Sequence, residues 1–472
     1  MLKKLYQLFK PEDSQAPTVV HDSDHQISEA DISKNAVRVV EQLNLAGHAA
    51  YLVGGCVRDA LLDGDPKDFD VATDATPEQV QKTFRNARII GRRFRIVHVR
   101  FGREIIEVTT FRGSPNESSK KNHNKKDHNQ TDKGILLRDN VYGDIRSDAL
   151  RRDFTVNALY YAPGDGAILD YTNGLADIDA RKLRLIGDPD ARYKEDPVRM
   201  LRAVRFGAKL GFTLTPETEA PIFEHADYLD EVPAARRFEE VLKLFLSGYA
   251  TAVLTKLREY GLLKYLFPST DEALEADTPY AERLVFAMAA NTDKRLRSNK
   301  RVTPAFIYAA MLWPSLTTGM EQLIRKRKLN PHEAMQQAAT EVINQQLAYT
   351  SIPKRFLIPM REIWSLQQRL GRRDGRRAFL TMEHPRFRAA YDFLLLREDS
   401  GEKLDGLGLW WTRFQDADEE GKQSLVNDLP KTQQSKNRRR KRKPRGSAAN
   451  SAGGNGQNTN GQNNNGSNQP ND

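Results

Sequence analysis

Gly54-Gly55-Cys56-Val57-Arg58-Asp59-Ala60-Leu61-Leu62 joins a diglycine turn to a helical segment, and Asp68-Phe69-Asp70 follows soon after it. In an extended strand, side chains alternate between faces, so Asp68 and Asp70 project from the same face, about 7 Å apart along the chain. Two carboxylates this close repel each other unless a cation lies between them. Mg²⁺ takes oxygen ligands and is often shared with substrate phosphates. The pattern therefore predicts phosphoryl or nucleotidyl transfer.

The residues before the acidic pair predict an anion site. Residues 50–53 form a short apolar strand that leads into Gly54 and Gly55, where backbone N–H groups can approach an anion closely. Arg58 follows near the start of a helix, and a helix N-terminus with an arginine suits a triphosphate. The alternative is a surface hairpin in which the glycines only turn the chain and the aspartates are solvated. The combination of turn, arginine and acids favours the phosphate site.

A third carboxylate stands in a later strand. The segment Arg103-Glu104-Ile105-Ile106-Glu107-Val108-Thr109-Thr110 is rich in β-branched residues, and Glu107 lies inside it. In two-metal transfer, a carboxylate beyond the shared pair commonly holds the metal that activates the attacking hydroxyl group. Glu107 is our candidate for this role. Glu104 is its competitor, and an ordinary exposed strand glutamate is the alternative.

Four segments occur in order along the chain, and their order makes a chance match implausible. They resemble the successive motifs of the class II nucleotidyltransferases, the family that contains the bacterial tRNA CCA-adding enzymes and the bacterial poly(A) polymerases. The resemblance covers roughly residues 35–265 and fits the catalytic half better than the C-terminal half. The four segments are Gly54-Gly55-Cys56-Val57-Arg58-Asp59, Asp68-Phe69-Asp70, Arg151-Arg152-Asp153-Phe154-Thr155-Val156-Asn157-Ala158 and Glu195-Asp196-Pro197-Val198-Arg199-Met200-Leu201-Arg202-Ala203.

The resemblance implies a role for each group of motif residues. Asp68 and Asp70 would hold two Mg²⁺ ions, with Mn²⁺ as a substitute. Asp153 and Asn157 are four residues apart and would share one helix face if residues 154–160 were helical. Asp153 could also cap that helix, and both roles can coexist. The residues implied to bind the nucleotide at its triphosphate and ribose are Gly54, Gly55, Arg58, Arg152, Asp153 and Asn157.

Asp196 and Arg199 are implied by the resemblance to choose the base. Asp196 precedes Pro197, a combination typical of a helix start, and Arg199 falls in the first turn. The carboxylate would accept a hydrogen bond from the exocyclic amine of adenine, and the guanidinium would donate to a ring nitrogen. The alternative is that Asp196 only caps the helix and pairs with Arg199.

Arg202 and Arg205 continue the same helical surface at three-residue steps. Such a stripe can bind a nucleic-acid backbone, and a solvated face is the ordinary alternative. We predict that both arginines contact RNA.

The net charge of +10 is concentrated in the C-terminal tail. From Lys431 onward there are nine Lys or Arg residues and one acid, Asp472, which accounts for eight of the ten net charges. An Asn, Gly, Ser and Gln tract that cannot form a core follows the basic run. Such a tail binds phosphates by counterion release, although a nuclear import signal would look alike. The tail residues predicted to bind RNA are Arg438, Arg439, Arg440, Lys441, Arg442 and Lys443.

Length and composition set further bounds. A chain of 472 residues can form roughly two to four compact units with large cores. The single cysteine, Cys56, excludes disulfides within the chain and suits a reducing cytoplasm; we predict a packed residue rather than a nucleophile. No stretch approaches the roughly 20 apolar residues that span a bilayer. Residues 1–10 are basic and apolar and could touch an anionic membrane surface weakly, although a frayed arm fits better.

The residue patterns predict an α/β nucleotidyltransferase head followed by an all-helical neck and body and a disordered basic tail. Strands are expected near 50–55, 67–72, 88–91, 95–101 and 104–111, with helices near 33–46, 57–63 and 77–85. From Asp196 to residue 397 the pattern is almost continuously helical. The predicted units are a flexible arm at 1–30, the catalytic head at 31–185 with a mobile loop at 114–134, the neck at 186–265, the RNA-binding body at 266–430 and the tail at 431–472.

The choice between the two branches of the family depends on weaker signals. The segment at residues 91–99 and the polybasic tail resemble the poly(A) branch more than the CCA-adding branch. We therefore predict a template-independent poly(A) polymerase that adds AMP from ATP to RNA 3′ ends by a two-metal mechanism, promoting RNA processing and decay. The expected partners are RNA 3′ ends, ATP and RNA-decay or RNA-chaperone proteins, and we expect a cytoplasmic monomer.

Two alternatives stay open at this point. A tRNA CCA-adding nucleotidyltransferase would share all four motifs and would use CTP as well as ATP. A non-catalytic RNA-binding protein could keep the fold and use its basic tail alone. The acidic set argues against the second alternative, because an inactive relative has no physical reason to keep three carboxylates crowded together.

Overall fold

The computed structural model describes residues 16–91, 95–113, 141–276 and 279–429 of the chain. Strands and short helices alternate in the N-terminal part, and helices make up nearly all of the remainder. The predicted class, an α/β head followed by a helical neck and body, is confirmed. The predicted tail lies outside the described residues.

Eight strands form the sheet of the head, in the order β1-β8-β7-β2-β3-β6-β5-β4. Neighbouring strands are antiparallel except β3 and β6, which run parallel. The strands are β1 Thr18–Val20, β2 Ala50–Val53, β3 Asp70–Thr73, β4 Ala87–Ile90, β5 Ile96–Phe101, β6 Glu104–Thr110, β7 Leu159–Ala162 and β8 Ala167–Asp170. Two further strands, β9 Lys182–Leu183 and β10 Thr213–Leu214, pair with each other.

The three predicted helices of the head lie close to their predicted positions, and two of them begin at side-chain caps. Ser33 caps α1, and Thr76 with Gln79 forms a capping box at the start of α3. The helices up to the neck are α1 Lys34–Leu45, α2 Gly55–Leu61, α3 Pro77–Thr83, α4 Ile145–Arg151, α5 Gly174–Asp179 and α6 Pro189–Glu195. The expectation at 57–63 is corrected, because α2 begins directly after Gly54.

Residues 154–160 depart most from the prediction. The helix expected there is wrong: a single 3₁₀ turn, Thr155–Asn157, leads directly into β7. β7 lies between β2 and β8, and its Leu159, Tyr160 and Tyr161 are all buried. A central strand buried on both faces lacks the polar and apolar alternation that identifies a strand in sequence.

The N-terminal arm also differs from the expectation. Residues Thr18–Val20, within the segment predicted to be flexible, form β1 and pair with β8 at the sheet edge. These three β-branched residues favour a strand, and pairing with β8 orders them within an otherwise polar arm. Residues 1–15 lie outside the described residues, as does the predicted membrane contact of residues 1–10.

The helical remainder follows the predicted pattern within a few residues at most helix ends. Three helices, α11, α19 and α20, have no counterpart among the predicted helices. All three are short, and α19 and α20 carry helix-weakening glycines, Gly408 and Gly421. The helices are α7 Val198–Leu210, α8 Pro216–His225, α9 Ala234–Phe245, α10 Ala250–Glu259, α11 Pro268–Glu275, α12 Pro279–Arg297, α13 Pro304–Met311, α14 Trp313–Arg327, α15 Pro331–Tyr349, α16 Lys354–Leu370, α17 Arg377–Met382, α18 Phe387–Asp399, α19 Leu407–Asp416 and α20 Glu419–Asn427.

One apolar core continues from the sheet into the helices, from Ile27 in the head to Leu396 in α18. A second cluster around Trp411 and Phe414 joins α19 to the end of α16. This continuity holds the sheet against the neck and fixes the site between them. Among the described residues, no helix is long and apolar enough to cross a membrane. The domain boundaries given above stay predictions.

Candidate active site

Three central strands bring the glycine turn and two of the predicted acids together. Val53, the last residue of β2, pairs with Asp70, and Asp70 pairs with Glu107 in β6. The chain leaves β2 directly into Gly54, so the turn lies next to this acidic pair. Strand pairing therefore joins Glu107 to the motif around Asp70, which precedes it by a long stretch of sequence.

Asp70 has an unusual electrostatic environment. Burial and the negative charge of Glu107, with a smaller effect of Asp68, raise the pKa of Asp70 to about 6, against an opposing effect of Arg152. Within the described chain, no Lys or Arg forms an ion pair with Asp70. A carboxylate repelled by its neighbours is stabilised by a bound cation. The oxygen donors of these acids therefore fit a hard divalent ion.

Asp68 is exposed and precedes β3, which begins at Asp70 rather than near residue 67 as predicted. The ligand atoms of Asp68, Asp70 and Glu107 do not all lie within 4.8 Å of one another. Mutual repulsion of three carboxylates opposes a closer approach. The strands thus gather the acids without closing them into a tight cluster.

A tighter cluster of possible ligands lies elsewhere. In the described part of the chain, Asp190, Glu224 and His225 place one ligand atom each within 4.8 Å of the others. His225 Nε2 lies 2.5 Å from Asp190 Oδ1, a hydrogen bond that links α8 to α6. This hydrogen bond gives the cluster a structural role in joining the two helices. The sequence analysis did not single out these residues.

The structure separates the two glutamates that competed for the third acidic position. Glu104 accepts hydrogen bonds from Ser33 and Asn35 at the start of α1, so it supports the helix cap. Glu107 lies beside Asp70 and 3.3 Å from Nε2 of His98 on β5. Glu107 is therefore the glutamate placed to act with Asp70, and His98 is a neighbour that the sequence analysis did not weigh.

The glycine turn is open toward Arg152. Gly54 has φ 84° and ψ −129°, a conformation that L side chains rarely adopt. A Cβ atom built on Gly54 would lie 3.6 Å from Nη1 of Arg152. The rest of the Arg152 guanidinium donates to Asp148 at 3.0 Å and to Tyr160 Oη at 3.0 Å. These partners hold the Arg152 side chain beside the turn.

The partners of Arg152 also keep its guanidinium group protonated. Burial lowers the pKa of Arg152, but Tyr160 and Asp148 outweigh that effect, and the pKa is raised overall. Asp148 and Tyr160 are buried, and the Tyr160 hydroxyl donates to Asp148 at 2.7 Å. Neither residue was predicted from the sequence, because each becomes important only through its contact with Arg152.

A chain of hydrogen bonds connects α2 to α7. Arg58 is buried and donates to Asn157 Oδ1, and Nδ2 of Asn157 donates to Asp153 Oδ1 at 3.1 Å. Asp153 Oδ2 in turn accepts from Nε of Arg202 at 2.7 Å. Asp153 and Asn157 do meet, through a 3₁₀ turn rather than a helix. Arg58 lies under the turn and supports it from within the protein.

The pKa of Asp153 is shifted in the opposite direction to the pKa of Asp70. Burial raises the pKa of Asp153, but Arg202, the Asn157 amide and the Phe154 N–H group outweigh it and lower the pKa to about 2. Its carboxylate also accepts from Phe154 N at 2.8 Å. Asp153 is therefore a charged and paired group that joins the head to α7.

Asp196 and Arg199 have separate partners. Asp196 Oδ2 accepts from Arg236 of α9 at 2.8 Å, while Arg199 donates to the Arg192 carbonyl at 2.9 Å and to Glu195 at 3.0 Å. The alternative in which Asp196 pairs with Arg199 and caps α7 is wrong, because Asp196 terminates α6 and makes no side-chain cap.

The free oxygen of Asp196 is the feature that bears on ligand binding. Asp196 Oδ1 is buried and accepts no hydrogen bond from any residue that the structure describes. Burial raises the pKa of Asp196, yet Arg236, with a smaller effect of Arg199, outweighs it and lowers the pKa. Asp196 thus offers a charged acceptor with one position unfilled. Arg236 was missed because it lies forty residues along the chain, on another helix.

The predicted arginine stripe does not lie open along α7. Arg202 is bound to Asp153, and the guanidinium groups of Arg58, Arg202 and Arg205 lie 5.4, 5.6 and 4.7 Å from the ring centre of Phe206. Arg205 Nε is buried without a partner. These arginines surround one aromatic ring at the junction of head and neck. RNA binding by Arg202 and Arg205 stays a prediction.

Cys56 is buried next to the site. Burial raises the pKa of Cys56 to about 11, and Sγ donates to the Val53 carbonyl at 3.4 Å. The interpretation of this residue as a packed thiol agrees with these contacts. The loop at 114–134, the arginines at 92–93 and the tail residues Arg438, Arg439, Arg440, Lys441, Arg442 and Lys443 lie outside the described residues.

The geometry of the site is that of a nucleotidyltransferase. Its features are a glycine turn, a pair of acids on neighbouring strands and a helical neck that faces them. Family models cover most of the chain. Residues 50–184 match the poly A polymerase head domain, residues 211–274 match the probable RNA and SrmB-binding site of polymerase A, and residues 327–445 match the polymerase A arginine-rich C-terminus.

Sequence comparison with known proteins identifies the particular family. The chain is 46% identical to the poly(A) polymerase I of Salmonella typhi, over 91% of this chain and 93% of that protein. It is 38% identical to the CCA-adding enzyme of Bacillus subtilis over only 48% of this chain. The chain belongs to the poly(A) polymerase I family. The prediction of the poly(A) branch, and of a polynucleotide adenylyltransferase, is confirmed.

Solved structures support the fold. The structure resembles the Bacillus stearothermophilus CCA-adding enzyme in complex with CTP, with a TM-score of 0.51 and 26% identity, over 81% of this chain and 80% of that one. Nucleotidyltransferases use divalent metals, and the oxygen donors of the acidic group fit them. RNA and nucleotide substrates are consistent with the family.

Proposed function

We propose that this chain transfers AMP from ATP to RNA 3′ ends at the acidic group of Asp68, Asp70 and Glu107. The observation that carries the proposal is the direct pairing of Asp70 with Glu107 beside the Gly54 turn, in surroundings that raise the pKa of Asp70. Two Mg²⁺ ions, or Mn²⁺ in their place, would activate the RNA 3′-hydroxyl group and stabilise the leaving pyrophosphate when bound. Asp70 and Asp68 would hold them, with Glu107 on the side of the attacking hydroxyl.

The side chains around the turn bind and orient the triphosphate. The Gly54 and Gly55 turn gives phosphate oxygens close access to the backbone. Arg152, held by Asp148 and Tyr160, presents a permanent positive charge beside it. Arg58 supports this turn from below through Asn157, so we assign it a positioning role. The hydroxyl attacks the α-phosphorus in line, and no covalent enzyme intermediate is needed.

The junction of head and neck orients the base. Asp196 Oδ1 is a buried acceptor without a donor, which suits the exocyclic amine of adenine. Arg236 fixes this carboxylate through Oδ2, and Arg199 lies nearby on the first turn of α7. Because Arg202 binds Asp153, the base-reading helix is tied to the residues around the triphosphate. RNA 3′ ends and ATP are thus the proposed substrates, and the cytoplasm is the proposed compartment, as the single reduced Cys56 suits.

Incorporation assays test the proposal. Purified protein is incubated with Mg²⁺ and either an unstructured RNA or a tRNA lacking its 3′ end, with ATP alone, CTP alone or both. We expect long products from ATP on the unstructured RNA and little incorporation of CTP. Addition limited to two C and one A on the tRNA would establish CCA addition instead. No incorporation under any condition would favour a non-catalytic RNA-binding protein.

A further inference from the structure

The helical body carries a group of arginines that the proposed reaction does not use. Residues 369–377 contain five arginines and one acid, Asp374. Arg369 lies in the last turn of α16, and the other four lie in the connection to α17 and at its first residue. Arg369, Arg372 and Arg376 are exposed. We call the five, Arg369, Arg372, Arg373, Arg376 and Arg377, the arginine turn.

Most of these charges have no partner. In the part of the chain that the structure describes, Arg377 pairs with Asp374 at 2.9 Å, and no carboxylate lies within ion-pair distance of the other four. Nearby arginines do have partners: Arg386 lies 3.1 Å from Glu362, and Arg388 lies 3.0 Å from Asp392. The arginine turn therefore concentrates, in a short segment, four guanidinium groups without a carboxylate partner in the described chain, while the neighbouring Arg386 and Arg388 are paired.

The arginine turn borders a concave site. Arg369, Arg372 and Arg377 line a cavity of about 570 Å³ together with His332 and Gln368, and no carboxylate lines it. Cations are favoured at the C-terminus of a helix, so the helix dipole explains why Arg369 lies in the last turn of α16. The dipole does not explain the arginines that lie beyond the helix. Of the three arginines that line the cavity, Arg377 pairs with Asp374, while Arg369 and Arg372 have no carboxylate partner among the described residues. A cavity lined by such guanidinium groups is suited to phosphate groups, which arginine binds through two donors at once.

An aromatic stack lies beside the same turn. The Arg373 guanidinium lies 5.0 Å from the ring centre of Trp410, and burial lowers the pKa of Arg373. Trp410 is partly exposed and stacks on Phe414 at 4.9 Å with a 14° angle between the rings. Single-stranded nucleic acid is bound by phosphate-facing cations together with flat surfaces for unpaired bases. Free phosphate or an acidic peptide would use the cations but not the stack.

We propose that the arginine turn and Trp410 form a second RNA site, which holds single-stranded RNA upstream of the 3′ end that is being extended. The inference rests on the proposed function, because it assigns the RNA substrate a second contact. The proposal names the residues through which the predicted RNA-binding body would hold RNA. Phosphates would bind in the arginine cavity, and a base would stack against Arg373 and Trp410.

The test compares two double variants of the full chain with equal changes of charge. Arg369→Ala/Arg372→Ala removes two unpaired arginines of the cavity, and Arg386→Ala/Arg388→Ala removes two arginines that carboxylates already neutralise. Binding is measured by fluorescence anisotropy over a range of salt concentrations, with unstructured RNAs of about 6 and about 30 nucleotides, near the lower end of the usual single-strand site sizes and well above them. Thermal melting checks that both variants fold.

We expect the Arg369→Ala/Arg372→Ala variant to bind the long RNA about tenfold more weakly at 0.15 M salt. The slope of log affinity against log salt should flatten by about 1.4, since each phosphate contact on a single strand contributes about 0.7. The KM for the long RNA should rise while kcat at saturating RNA stays similar, and binding of the short RNA should change little. The control variant should resemble the unmodified protein.

An unchanged salt slope, or an equal loss in the control variant, would overturn the second site. Polyaspartate that binds with the same arginine dependence, while RNA binding is unaffected, would assign the cavity to an acidic peptide instead. Anisotropy needs no catalysis, so the binding result is independent of the reaction. Failure of the unmodified protein to incorporate AMP on either RNA would contradict the proposed function and not the second site.

Discussion

Two carboxylates near the proposed active site, Asp70 and Asp153, are both partly buried yet have opposite electrostatics. Asp70 faces Glu107 and Asp68 with no cationic partner among the described residues, and its pKa is raised to about 6. Asp153 is bound by Arg202, Asn157 and the Phe154 N–H group, and its pKa is lowered to about 2. Residue type and burial are therefore insufficient to assign a role. The partners decide whether a carboxylate needs a cation from outside or is already satisfied.

The two aspartates respond to acid in opposite ways. Asp153 has a lower pKa folded than unfolded, so the stability it contributes is present above about pH 4 and is lost as pH falls toward 2. Asp70 has a higher pKa folded than unfolded. Its charge opposes folding above pH 6, and the folded protein gains relative stability as pH falls from 6 toward 4. This difference supports the proposed metal-binding role of Asp70 and the structural role of Asp153.

Replacing Asp70 has the largest expected effect. Asp70→Asn should lower AMP incorporation at least about a thousandfold, because a metal ligand supplies several kcal/mol of transition-state stabilisation. The melting temperature at pH 8 should not fall, since the substitution removes a repelled charge. The rate is measured at saturating ATP and RNA.

Asp74→Asn is the matched control for this variant, because Asp74 follows the other end of β3, is half exposed and pairs with His48. It should keep nearly normal activity. Equal activity of the Asp70→Asn variant and the unmodified protein would show that Asp70 is not part of the active site. A large drop in the melting temperature of the Asp70→Asn variant would assign Asp70 a structural role.

Replacing Asp153 should act mainly on stability. Asp153→Asn should lower the free energy of unfolding at pH 7 by about 2 kcal/mol, the value that corresponds to its lowered pKa. Urea unfolding measures this change. Glu282→Gln removes an exposed carboxylate paired with Arg258 and should cost less than about 1 kcal/mol. Equal losses in the two variants would contradict the special pairing of Asp153.

The pH dependence of metal binding gives the smallest expected effect. In the proposed site, Asp70 binds Mn²⁺ as the carboxylate, so affinity should be constant above about pH 7 and fall about tenfold for each pH unit below 6. Titration by calorimetry between pH 5 and 8 measures the profile. The Asp153→Asn variant should keep the same inflection. A flat profile, or an inflection that moves with Asp153, would show that another group controls metal binding.

Local sequence patterns were sufficient to predict a feature when the residues that form it lie in one short segment of the chain. The Gly54 turn, the strands around Asp70 and Glu107 and most of the helices followed from periodicity, glycine placement and motif order. Prediction failed at β7, because a fully buried central strand has no alternation, and at β1, because pairing with β8 orders three β-branched residues within an otherwise polar arm. The sequence favoured Glu107 with Glu104 as its competitor, and strand register then placed Glu107 beside Asp70.

The sequence by itself determined the class of fold, the family, the order of the motifs and the acids that carry the proposed chemistry, since these depend on residues close together in the chain. The tertiary structure alone decided which charges are paired. Arg236 reaches Asp196, Arg202 reaches Asp153 and Tyr160 reaches Arg152 through contacts between separate elements. Electrostatic energies depend on distance in space and on burial, and both are set only when the chain has folded.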